Sequence, residues 1–288
     1  MNALRFSGPV LPDGEVRDLY VVGDTVTLEP QAGAETVAEG WIVPGLVDAH
    51  CHIGLDDHGA VSDAEAEAQA IRDRDAGALL IRDCGSAADT SRMHGRDDLP
   101  RLIRAGRHIA RTKRYIRNYA HEVEPPSLVE TVVREARRGD GWVKLVGDWI
   151  SRDTGDPAPS FPADDFAAAI AAAHEHGAKV TAHCFGEAVL PMLIDAGIDC
   201  IEHGTGLSTD LAQTMAARGI APGSDRHADR QVPAVRRSGP RQVPALLRPH
   251  DRSACPPTRH DHGGTRARSG PLRRVGRRGS EPARQPRR

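Results

Sequence analysis

Between residues 40 and 220 the apolar positions fall into two alternating patterns. Short apolar runs bounded by turn residues read as strands: Leu46-Val47, Ala78-Leu79-Leu80-Ile81, Leu102-Ile103, Val143-Lys144-Leu145-Val146, Val180-Thr181-Ala182 and Cys200-Ile201. Longer stretches with helical spacing occupy 62–76, 127–138, 162–176, 187–196 and 207–218. Strands that alternate with helices predict an α/β fold with a parallel sheet. Leu46-Val47, after the Pro44-Gly45 turn, opens a strand expected to be buried on both faces. Ser127, with Glu130 three residues on, predicts a capping box.

Two flanking regions break this alternation. In residues 1–42, Gly14 and Gly23-Asp24 punctuate alternating segments, which predicts short strands and turns, the part of a small β-sandwich. Residues 107–124 are rich in Arg, Tyr and His and read as one long loop, a length that usually marks function or mobility.

From residue 221 onward there is no Ile, Phe, Tyr, Trp, Met or Lys, but 10 of the 21 prolines. Such a segment cannot bury enough apolar surface to offset its ordering entropy, so 221–288 is expected to be disordered. Charge divides at the same place. The last part holds 17 arginines and 5 acidic residues, a balance of +12, whereas residues 1–220 carry 21 basic and 35 acidic residues, a balance of −14. Only Lys113, Lys144 and Lys179 stand against 35 arginines, which points to GC-rich codons. Out of frame, such codons yield mostly Arg, Pro, Gly and Ala. Residues from about Ala221 are therefore expected to come from a shifted reading frame, with a genuine basic extension as the alternative.

The candidate chemistry lies at the strand ends. His50 and His52 sit two apart on a strand, so both imidazoles project to the same side. They could form half of a divalent-metal site or a hydrogen-bonded core pair. His183 and His203 each close an apolar strand just before a glycine-containing loop. Lys144 stands among apolar residues, where an unpaired ammonium is unfavourable. A buried pair with Asp148 or Asp48 is one account of it.

The stretch "PGLVDAHCH" resembles the opening strand of the amidohydrolase superfamily, closest to its imidazolonepropionase-like and prolidase-like branch. "TAHCFG" and "IEHG" are similar to that family's fifth- and sixth-strand histidine motifs. The resemblance runs from about Gly40 to about Ile220. It implies a (β/α)8 TIM barrel over 43–220, here truncated after about six βα units, for a barrel needs eight. It also implies the metal ligands His50, His52, Lys144, His183 and His203, with Lys144 as a carbamate bridging two divalent ions, most simply zinc. Lys144 and His203 are the candidate catalytic residues, and a metal-bound hydroxide would attack an amide, lactam-like or dipeptide C–N bond. The family's strand-eight aspartate has no convincing counterpart. Asp225 and Asp261 are nearest by order, but neither follows an apolar strand.

In such a barrel residues 107–124 would lie beside the site, which makes Tyr115, Arg117 and His121 candidate substrate contacts, with an Arg able to hold a carboxylate. The expected partner is a small molecule, and a homo-oligomer is compatible with everything above. No apolar run is long enough to span a membrane, and the N-terminus lacks a signal pattern, which leaves the cytoplasm as the expected compartment. Two other readings stand beside the hydrolase. One is an inactive truncated relative. The other is nucleic-acid association through the basic tail, weakened by the lack of interleaved aromatics and of any RNA-binding motif. The five cysteines form no Cys-x-x-Cys pair and are assigned no disulfide.

Overall fold

The computed structural model describes residues 3–223. Residues 221–223 of the segment expected to be disordered instead form a short parallel strand beside Cys200–Glu202, while the rest of that segment, the shifted frame, Cys255 and the two candidate aspartates fall outside the described residues. No helix among the described residues is long and apolar enough to cross a membrane.

The N-terminal part comprises β1 (Leu4–Val10), β2 (Glu15–Val22), β3 (Thr25–Thr27) and β4 (Glu35–Glu39), hydrogen-bonded in the order β3-β2-β1-β4. This is one four-stranded sheet rather than two facing layers. Alternating apolar positions specify strands, but the number of layers depends on what covers them.

The α/β part starts with β5 (Leu46–Cys51), followed by the small hairpin of β6 (Leu55–Asp56) and β7 (Gly59–Ala60). Helix α1 (Asp63–Asp75) leads to β8 (Ala78–Asp83) and then β9 (Arg101–Arg104). Strands β5, β8 and β9 form a three-stranded parallel sheet. At the start of α1 the Ser62 side chain accepts a hydrogen bond from Glu65 N, satisfying one of the orphan amides of the first turn.

A second parallel sheet has six strands. They are β10 (Ile109–Arg111), β11 (His121–Val123), β12 (Trp142–Val146), β15 (Lys179–Cys184), β16 (Cys200–His203) and β17 (Ala221–Gly223), in the order β11-β10-β12-β15-β16-β17. Between β12 and β15 lies the hairpin of β13 (Asp148–Ile150) and β14 (Pro157–Pro159). Helices α2 (Leu128–Arg138), α3 (Ala163–Glu175), α4 (Val189–Asp195) and α5 (Thr209–Arg218) separate successive strands of this sheet. The expected long loop at 107–124 thus contains two short strands, because Ile109 pairs with Leu145 of β12 and Ile109–Arg111 pairs with β11. The same chain segment carries the fold from one sheet to the other, since Arg101–Arg104 pairs with β8.

Ser127 does not close a capping box. It ends a turn of 3-10 helix at Pro125–Ser127 and makes no side-chain cap bond, because the two prolines impose that turn ahead of α2.

Packing differs between the two sheets. On the six-stranded sheet, Val143, Leu145, Val180, Ala182 and Ile201 are buried against Phe166 and Ile170 of α3 and Leu190 and Leu193 of α4. Fully burying each large side chain there is worth about 1.5–3 kcal/mol. On β5, Leu46 and Val47 are 58% and 60% exposed, contrary to the expectation of a strand covered on both faces. Among the described residues β5 pairs with β8 alone, so its outer edge has no neighbour.

The register of the second sheet sets the level of the functional ends. Val146 pairs with His183 and His183 with Glu202, while Cys184 pairs with His203. Side chains two apart share a face, so Lys144, next to Thr181, points to the same side as His183.

Candidate metal centre

Five of the residues singled out from sequence meet at the C-terminal ends of these strands. The rings of His50 and His52 lie 5.5 Å apart, His50 and His203 4.8 Å, and His183 and His203 4.7 Å. Lys144 lies fully buried beneath them.

Each ring is held for a different reason. His52 places Nδ1 2.8 Å from the carbonyl oxygen of Gly85. A carbonyl only accepts, so Nδ1 carries the proton and Nε2 keeps a lone pair suited to a metal. Gly85 has φ +110°, and a Cβ there would stand 2.9 Å from Nδ1 of His108, so only glycine fits this turn. His203 itself has φ +60°, a left-handed conformation that a non-glycine residue adopts at a cost of about 1–3 kcal/mol. Residues 202 and 203 would project to opposite faces on a regular strand. Because His203 leaves the strand conformation, both side chains reach the centre.

Glu202 is the residue that sequence reasoning missed. It is fully buried, accepts a 2.7 Å hydrogen bond from Thr181 Oγ1, and has Oε2 3.2 Å from His50 Nε2. The same oxygen receives Lys144 Nζ. Lys144 is therefore paired with Glu202, not with Asp148 or Asp48. Asp148 instead accepts from the backbone N–H groups of Phe185 and Gly186 at 3.0 and 2.5 Å, and Asp48 accepts from His50 N. On a regular strand Glu202 and His203 face opposite ways, and the φ of His203 brings its ring to the side of Glu202.

The electrostatics favour neutral ligands. Burial pushes the pKa of His50 and His183 well below the usual imidazole range, with the Lys144 charge adding to it at both and neighbouring His203 at His183. Burial also lowers Lys144 to about 8, which raises the fraction of free amine near neutral pH. The Glu202 carboxylate against Nζ acts the other way.

Two observations test whether a divalent ion fits. Ligand atoms of His50, Glu202 and His203 all lie within 4.8 Å of one another. His183 Nε2 is buried without a hydrogen-bond partner, an arrangement that is unfavourable unless something else takes its lone pair. Both fit a cation.

The 107–124 segment divides. Tyr115 approaches the centre, 5.5 Å from the His183 ring. His121 points away, its Nε2 3.0 Å from Oε1 of the buried Glu135 on α2, and Arg117 is exposed. Residues 121–123 are drawn into the sheet beside β10. In contrast His108, unnoticed in the sequence, is fully buried with its ring 4.9 Å from His52. It stands at the start of the 107–124 segment, whose reading as a loop gives no sign of its burial.

The parallel strands carry these histidines at their C-terminal ends, the arrangement of an α/β fold. A sequence model of the amidohydrolase family matches residues 41–247, and the chain belongs to that family. The match continues past Ile220, where the sequence reading had ended the resemblance. An uncharacterized protein of Mycobacterium tuberculosis is 57% identical over 220 residues, covering 76% of this chain and 60% of the relative. The chain thus spans about 60% of the length of the curated relatives it matches. Among solved structures, a prolidase complexed with N-methylphosphonate-L-proline superposes with a TM-score of 0.65 at 18% identity, covering 82% of this chain and 73% of that one. A Xaa-Pro dipeptidase with methionine bound in its active site gives 0.64 at 18% identity, over 77% and 66% of the two chains. At such identities the likeness is one of fold.

Proposed function

We propose that this chain is a metal-dependent hydrolase of carbon–nitrogen bonds, with the centre at His50, His52, Lys144, His183, Glu202 and His203. The observation that carries the reading is the convergence of the His50, Glu202 and His203 ligand atoms within 4.8 Å, beside a buried His183 nitrogen without a partner. In this reading residues 43–220 are six βα units of a barrel, continued by the short strand β17, and residues 1–42 are an appended β part. Two divalent ions, zinc by the imidazole-rich donor set, are the expected complement.

Bound there, a divalent ion supplies Lewis acidity toward a carbonyl and lowers the pKa of water. The protein's own residues do the rest. His52 is fixed in one tautomer by Gly85 and presents Nε2. The depressed pKa of the imidazoles keeps them unprotonated and able to ligate. Lys144 offers an amine that burial inclines to the free form, the form that takes up carbon dioxide to give an anionic two-oxygen carbamate. The substrate class is an amide, lactam or dipeptide, and the prolidase fold neighbours favour an amide beside a ring.

Elemental analysis of the purified chain tests the metal, and release of amine from a panel of simple amides tests the chemistry. About two zinc ions per chain are expected, with added bicarbonate raising occupancy in the wild type but not in Lys144→Arg, since guanidinium forms no carbamate. A chain that retains no divalent metal at any bicarbonate concentration would overturn the proposal. A second reading, metal binding without turnover, is favoured by the outer edge of β5, which has no neighbour among the described residues. Full zinc content with no amine release on any substrate would select it.

A further inference from the structure

Six side-chain rings close a circuit around the centre. From His183 it passes through His203, His50 and His52, and returns through His108 and Tyr115. The returning contacts are 4.9 Å for His52–His108, 5.3 Å for His108–Tyr115 and 5.5 Å for Tyr115–His183. His108 and Tyr115 therefore face the same space as the proposed metal ligands, yet the metal reading uses neither. Trp149 widens this wall, 4.9 Å from Tyr115 and 5.5 Å from His183.

The chemistry of the wall is aromatic and uncharged. Tyr115 and Trp149 are half-buried residues. The neighbouring cations are engaged elsewhere. Arg114 Nη2 donates to the carbonyls of Trp149 and Ala158 at 2.9 and 2.8 Å. Arg107 donates to the carbonyls of Tyr119 and Asn118, and Arg111 pairs with Glu124. A carboxylate placed on this wall would meet no counter-ion from these arginines, whereas a planar ring would stack on its faces. One hydrogen-bonding capacity is left open. His108 is fully buried and neither of its ring nitrogens has a partner. Burying such a group unsatisfied is unfavourable, and a polar atom of a ligand would relieve it.

Resting on the hydrolase reading above, we propose that Tyr115, Trp149 and His108 form the substrate subsite of the centre. It takes an uncharged aryl or heteroaryl ring, and His108 hydrogen-bonds a heteroatom of that ring. The ring packs in the angle that Tyr115 and Trp149 form where they meet edge to face, and so brings its amide to the histidines on the opposite side of the circuit.

Calorimetric titration of the full 288-residue chain tests this, with nicotinamide, benzamide and glycyl-L-proline as probes, on zinc-loaded and chelator-treated protein. Both aryl amides should bind at least about tenfold more tightly than the charged dipeptide, in both samples, because the wall is built from side chains. Tyr115→Ala should lose about tenfold of that affinity, and Tyr115→Phe, which keeps the ring, should lose no more than about twofold. His108→Phe should weaken nicotinamide about fivefold and leave benzamide unchanged. Circular dichroism on each variant verifies folding. Equal or tighter binding of the dipeptide, or full affinity in Tyr115→Ala, overturns the subsite. Zinc content is read on the same samples, so loss of the metal reading and loss of the ring preference are separate results.

Discussion

The two parallel sheets obey one grammar and end in different states. In the six-stranded sheet, β12 and β15 have a strand on either side and helices α3 and α4 above them, and Leu145, Val180 and Ala182 are fully buried. In the three-stranded sheet β5 has one neighbour among the described residues, and Leu46, Val47 and Leu79, at 53–60% exposure, face outward. Both halves nevertheless bring side chains to the candidate centre, His50 and His52 from the open one, Lys144, His183, Glu202 and His203 from the closed one. An apolar residue on a strand is buried only when something is there to bury it. A functional side chain at a strand end needs only the register.

The largest effect that would sharpen this contrast lies at the buried ion pair of the closed half. Lys144→Ala leaves Glu202 charged and without its ammonium, and should destabilise the chain by about 3–5 kcal/mol in urea denaturation. Lys144→Ala combined with Glu202→Gln should recover part of that loss. An additive double variant would show that the two side chains are not coupled. Nearly as large is the difference between the cores. Leu193→Ala removes a fully buried side chain and should cost about 2–5 kcal/mol, whereas Leu46→Ala on the open edge should stay within about 0.5 kcal/mol. Comparable losses at the two sites would mean that the outer edge of β5 is covered in solution.

A smaller effect follows from Asp83 of β8. Burial raises its pKa to about 7, and its side chain is almost wholly enclosed. A carboxyl raised in the folded state binds its proton more tightly there than in the unfolded chain. Its stabilising preference is thus intact below the unfolded value near 4 and is lost as pH rises through about 7. Asp83→Asn should flatten that decline, and the wild-type minus variant difference in unfolding free energy should change across this window. A difference independent of pH between 4 and 8 would contradict the raised pKa. Smallest of all is the helix-start contrast. Ser62→Ala removes a real cap and should cost about 1 kcal/mol, while Ser127→Ala, with no cap bond to lose, should cost much less.

The metal-facing residues were legible for a specific reason. His50 and His52 share a face by the period of two, and His183 and His203 sit where an apolar run meets glycine, so local spacing alone brought four of the rings into view. Glu202 and His108 were not legible. Glu202 lies on the His183 face by strand register but His203 joins it there only through its φ of +60°, and His108 stands against the backbone only because of the turn at Gly85. Neither dihedral is written in a pattern of apolar and polar positions.

The sequence by itself determined the alternation of strands and helices, the order of the candidate ligands along the chain and the family, since each follows from local spacing and motif. Only the tertiary structure decided that Lys144 pairs with Glu202, that His121 turns to Glu135 while Tyr115 turns to the histidines, and that Leu46 and Val47 lie open. The physical reason is the same in each case. Partner choice and burial are properties of what arrives from distant parts of the chain, and periodicity reports only which way a side chain points.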